Sequence, residues 1–115
     1  MKDSETSMTI QASQMLDILR NVCANDPQLR EYGADTVTDL VGSYSRTEVQ
    51  ILAGVLSLCA SSEENYETLE AQLHAILELG STGLLSVDNI QRLREIDRAK
   101  IPVELSDYID DLLQN

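Results

Sequence analysis

The sequence predicts an all-α fold, either a compact bundle or a short stack of helical hairpins, built from about six short helices. Three observations carry that prediction. Apolar residues recur at i, i+3, i+4 and i+7 in one segment after another, the spacing that lines a single face of an α-helix. Those residues are aliphatic: there is no Phe, no Trp and only four tyrosines, and the alternating β-branched and aromatic signature of strands is missing. The segments are also punctuated by helix caps and breakers, among them Ser45, Ser61, Ser86, Pro27, Pro102 and Gly80. At 115 residues and 43% apolar content, the chain reads as one domain that can bury a core without disulfide or metal staples.

Residues 1–7 read as a polar leader with neither the basic start nor the apolar run of a signal peptide. From Thr9 to Ala24, Ala12, Met15, Leu16, Leu19, Val22 and Cys23 describe an amphipathic helix, which Asn25-Asp26-Pro27 stops. Pro27 suits the first turn of a short helix through Leu29 and Tyr32, capped by Asp26 and closed by Gly33. Asp35 to Tyr44 gives another, with Val37, Leu40, Val41 and Tyr44 in register.

The stretch RTEVQILAGVLSLCA, Arg46 to Ala60, is the expected centre of the packing. Val49, Leu52, Leu56 and Cys59 share one face and Ile51, Val55 and Leu58 fill the next, leaving Gln50, Gly54 and Ser57 as a small or polar strip. Ser45 and Glu48 make a capping box at its start. Ser61 and Glu64 make a second box that opens a helix to about Leu79, with Tyr66, Leu69, Leu73, Ile76 and Leu77 buried and Gly80 as its stop. Ser86 caps a helix carrying Val87, Ile90, Leu93 and Ile96. After Ile101-Pro102 the last helix turns Leu105, Tyr108, Ile109, Leu112 and Leu113 inward and Glu104, Asp107, Asp110 and Asp111 outward.

Eight basic against twenty acidic residues give a formal charge of −12. Such a surface repels nucleic acid and anionic lipid, so neither is an expected partner; it attracts basic protein, or serves solubility alone. No apolar run is long enough to span a bilayer. Cys23 and Cys59 both fall on apolar helical faces and read as reduced core thiols of a cytoplasmic protein. The single histidine, His74, lies between Glu70 and Glu78 on one helix face, a solvated pairing and not a catalytic triad. Ligand spacing for zinc or calcium and a glycine-rich phosphate loop are absent, so no enzyme activity, metal or cofactor is expected. Arg92, Arg94, Arg98 and Lys100, interleaved with Glu95 and Asp97, read as local ion pairing. Residues 61–91 hold six acids, and residues 101–115 four, without a Lys or Arg in either stretch.

The C-terminal half, YETLEAQLHAILELGSTGLLSVDNIQRLREID through IPVELSDYIDDLLQN, resembles small bacterial immunity proteins, the partners of polymorphic or contact-dependent growth-inhibition toxins. There a helix ending in Leu-Gly meets a short turn, a leucine-rich helix and a Pro-initiated acidic terminal helix. The resemblance implies an acidic, all-helical, non-enzymatic cytoplasmic protein that binds a cognate toxin domain, often a basic nuclease, and blocks its active site; a monomer in a 1:1 complex with that domain is the expected assembly. It carries over no interface residue. The charge map instead nominates Glu63, Glu67, Glu70, Asp107, Asp110 and Asp111 as partner contacts, with Tyr66 and Tyr108 as anchors. An adaptor or regulatory domain that binds through an apolar groove is the competing expectation, and a mimic of nucleic acid charge a third.

Overall fold

Residues 9–114, the part of the chain described by the computed structural model, contain five α-helices and three 3₁₀ segments, with no strand among the described residues. The expected leader at residues 1–7 lies outside them. The α-helices are α1 (Ala12–Val22), α2 (Pro27–Asp39), α3 (Arg46–Ser61), α4 (Tyr66–Gly80) and α5 (Val103–Gln114). The 3₁₀ segments are Val41–Ser43, Val87–Glu95 and Arg98–Lys100.

Caps fix most of the starts. Asp26 accepts a hydrogen bond from the Gln28 amide at the head of α2, and Ser45 and Glu48 close the expected capping box on α3. The second expected box does not form. Ser61 still belongs to α3, where its hydroxyl donates to the Leu58 carbonyl, and Asn65 caps α4 by accepting from the Thr68 amide. A serine one turn from a helix end can serve its own helix as easily as the next one. At the other end α4 includes Gly80, and the hydroxyls of Ser81 and Thr82 donate to the Glu78 and Leu79 carbonyls; the left-handed residue is Gly83, at φ 77°. Segment 87–95 is capped by Ser86 as expected, but it winds as 3₁₀ and breaks at Ile90 (φ −123°, ψ 25°), which still buries Ile90 and Leu93.

Gly33 is not a stop. α2 runs straight through it, uniting the two short helices expected there, because Gly33 marks a close crossing with α1. A Cβ at this position would lie 2.7 Å from the Val22 backbone nitrogen. The end of the expected second helix becomes the 3₁₀ turn Val41–Ser43, after which Tyr44 is buried and donates its hydroxyl hydrogen to the Val37 carbonyl at 3.2 Å. Burial pushes that phenol up to about 12, so it stays a donor throughout the physiological range.

The packing is a bundle around the α3–α4 hairpin. α4 packs on α2, α3 and α5, while α3 packs on α4, the 87–95 segment and the end of α1. The molecule spans 53 × 30 × 18 Å, about two helices deep in its thinnest direction. Leu52, Leu56, Leu69, Leu73, Ile76 and Leu79 have no more than trace exposure, and each contributes roughly 1.5–3 kcal/mol through removal from water.

The central helix is less apolar-faced in its environment than in its sequence. Ser57 is fully buried and donates to the Gly54 carbonyl, whereas Ile51 and Leu58 remain half exposed. The buried stripe of α3 is Val49, Leu52, Ala53, Leu56 and Ala60; in the next stripe Val55 packs partly buried against the core while Ile51 and Leu58 stay half exposed. α1 shows the same effect: it begins at Ala12, not Thr9, buries Ile18 and Val22, and leaves Leu16 exposed. On α4, Tyr66 and Leu77 are exposed, and Thr68, Gln72, Ala75 and Leu79 complete the buried face.

Candidate functional site

The eight nominated contact residues divide into an interior ion pair, a coherent acidic ridge and an outlying flank. Glu63 is the interior one. It lies in the α3–α4 loop with its side chain only 1% exposed, and both carboxylate oxygens accept from Arg30, Nε at 2.7 Å and Nη2 at 2.7 Å. Gln72 Nε2 and the Asn65 amide add further bonds at 3.0 and 3.2 Å. Burial by itself would raise this carboxyl, but the donors outweigh burial and hold it below the usual carboxylate range. Arg30 also donates to the Ala24 and Asn25 carbonyls at 2.9 and 2.8 Å, so one guanidinium ties the α1–α2 turn to the α3–α4 loop. Glu63 is therefore a structural ligand of Arg30 and is withdrawn from the partner face. Sequence distance hides the pair, since residues 30 and 63 belong to different hairpins.

The ridge forms where α4 meets α5. His74 Nδ1 lies 3.1 Å from the Tyr108 hydroxyl, joining the two helices, and His74 Nε2 lies 3.9 Å from Glu78. Burial raises the Tyr108 phenol, and the carboxylates of Glu70 and Glu78 push it the same way. Glu67 and Glu70 of α4 and Glu104, Asp107 and Asp111 of α5 are exposed on the two helices. On the helical projection of α5, Glu104, Asp107 and Asp111 flank Tyr108 on its solvent side. Glu78 and Glu104 join the ridge without being among the eight nominated residues. Their i+4 spacing from His74 and to Tyr108 is the signal in the sequence that points to them.

Asp110 lies around α5 from Tyr108. It accepts from Arg98 at 2.8 Å, and the same guanidinium nitrogen donates to the Ser106 carbonyl and hydroxyl, so its charge is already partnered. Of the other basic residues, Arg92 pairs locally with Glu95 at 3.0 Å, and Arg94 donates to Gln91 at 2.6 Å. Tyr66, about half exposed, donates to the Lys100 carbonyl and braces the start of α4 against the turn before α5. It stands at the head of the ridge, whereas Tyr108 stands within it.

Among the described residues no group of three or more His, Cys, Asp or Glu side chains is placed to hold a metal ion, and no helix is long and apolar enough to cross a membrane. No family model, curated protein or solved structure matches the chain.

Proposed function

We propose that this chain is a cytoplasmic immunity protein that neutralises a basic toxin domain by covering its cationic active-site groups with the α4–α5 acidic ridge. The observation that carries the reading is the joining of two acidic helix faces through the His74–Tyr108 contact. It turns separate carboxylates into one patch centred on a half-buried tyrosine, with a net charge of −12 behind it. A nuclease must offer Lys, Arg or His to phosphate, and carboxylates on a rigid helical face can occupy those groups in place of substrate. Long-range attraction also speeds encounter, which matters when the toxin must be caught before it cuts. The contact set becomes Glu67, Glu70, Glu78, Glu104, Asp107 and Asp111, with Tyr108 as the anchor and Tyr66 at the edge.

The test is the triple variant Glu67→Lys, Glu70→Lys, Asp107→Lys, three exposed positions without an ion pair among the described residues. Its helical circular dichroism should match the wild type, because surface substitutions of this kind change stability by only about 0.5 kcal/mol. Association with the cognate toxin domain, captured from native lysate and then expressed alone, should slow about ten- to a hundred-fold at low salt. Co-expression of the variant should no longer rescue cells from that toxin. Unchanged association would rule out this face.

One observation favours a second reading, a non-enzymatic adaptor. Ile51, Val55 and Leu58 form a partly exposed apolar stripe along α3, on a different helix from the ridge. Binding through it would be nearly indifferent to ionic strength, whereas binding through the ridge would weaken steeply.

A further inference from the structure

The cavity between the end of α1 and the end of α3 carries chemistry that toxin binding does not use. It has a volume of about 270 Å³ and is lined by Cys23, Ala24, Arg30, Cys59, Ser62 and Glu63. The two cysteines, far apart in sequence and each expected in the core, line this one cavity instead: Cys23 caps the C-terminus of α1 and is exposed, while Cys59 lies on the last turn of α3, half-buried. They are held together by the Arg30 guanidinium, which grips the Ala24 and Asn25 carbonyls directly after Cys23 and the Glu63 carboxylate one turn after Cys59. Both thiols are free.

We infer that Cys23 and Cys59 are a redox-modification site, a dithiol that low-molecular-weight disulfides such as oxidised glutathione convert reversibly to an intramolecular disulfide. The exposed Cys23 reacts first: its thiolate attacks one sulfur of the small disulfide, the S–S bond breaks, and one small thiolate leaves and takes up the proton that Cys23 lost. Cys59, deprotonated in turn, attacks the Cys23 sulfur of the mixed disulfide and expels the second small thiolate, which is protonated likewise. Two protein thiols are thereby oxidised and one small disulfide is reduced to two thiols. Burial, with the neighbouring Cys23 adding to it, pushes the Cys59 thiol up to about 11, so the second step is the slow one and quickens as pH rises.

Closing the bond places all of α2 inside a covalent loop and fastens α1, which otherwise holds a narrow buried stripe, to the central hairpin. Oxidation by this route fits a pair of which the first thiol, Cys23, is exposed, rather than a fully buried structural disulfide.

The wild-type protein is treated with oxidised glutathione and followed by intact mass, by free-thiol titration and by non-reducing peptide mapping. The expected product is monomeric, lighter by two hydrogens, without titratable thiols, and yields a peptide joining residues 23 and 59. It should melt about 10 °C higher than the reduced form and return to it on addition of dithiothreitol. Cys59→Ser should stop at a stable adduct of one glutathione on Cys23. A persistent glutathione adduct on the wild type, unreacted thiols, or covalent dimers as the main product would each overturn the assignment.

Discussion

Glu63→Gln should lower the melting temperature at neutral pH by roughly 12 °C, far more than any single change on the acidic ridge. The carboxylate is enclosed and satisfies Arg30, Gln72 and the Asn65 amide at once; glutamine keeps the shape but leaves Arg30 without a counter-charge. Removing one member of a buried pair costs about 3–5 kcal/mol, and because Arg30 retains 21% side-chain exposure the lower figure applies. For a chain of this size about 3 kcal/mol corresponds to the shift given. Asp110→Asn is the contrast. It breaks an ion pair of the same length class, 2.8 Å, but on a side chain 55% exposed, and it should cost under about 1 kcal/mol.

The pH dependence identifies the cause. Folding lowers the Glu63 pKa, so its contribution is complete above the unfolded carboxylate value near about 4.3 and is lost as pH falls through the lower, folded value. Melting curves of wild type and Glu63→Gln followed by circular dichroism should therefore be widely separated at neutral pH and converge in acid. A gap that stays constant with pH would mean that the cost lies in packing and not in charge.

Gly33→Ala should also destabilise, by about 2 kcal/mol or some 8 °C, against the usual direction for this substitution. Within a helix interior alanine is favoured over glycine by up to about 1 kcal/mol. At Gly33 that gain is outweighed, since the new Cβ would meet the Val22 nitrogen at 2.7 Å and the Asn21 carbonyl carbon and Cβ at 3.0 Å. The closest of these is backbone, which cannot rotate away, so α1 and α2 must separate; overpacking of this kind costs about 1–3 kcal/mol. Faster hydrogen exchange along α1, with α3 and α4 unaffected, would place the damage at the crossing. Gly42→Ala, where a Cβ meets nothing within 4 Å, is the control. A rise in melting temperature for Gly33→Ala would show that the two helices part at little cost.

Both residues show where reading by pattern reaches its range. Asp26, Ser45 and Ser86 are recognisable caps because the amide each serves lies two or three residues away. Ser61 looks equally good and fails because Asn65 offers the α4 amides a competing acceptor while Ser61 remains in the helix before it. Gly33 in isolation is the signature of a helix end, and Glu63 in isolation is one more surface acid. Neither role can be assigned without knowing which segment lies opposite.

The candidate site divides the same way. The acidity of α4 and α5, the exposure of Glu67, Glu70, Asp107 and Asp111, and the boundary position of Tyr108 follow from helical spacing. That Tyr108 reaches His74, that Asp110 faces Arg98, and that Cys23 and Cys59 line one cavity depend on how helices dock. By itself the sequence determined the all-helical class, the order of the elements and most of the caps, since these rest on interactions within one turn of the chain. Only the tertiary structure decided that Ser57 is buried while Ile51 is not, that Glu63 points inward, and which acids share a surface, because burial and pairing depend on which distant segment arrives at each face.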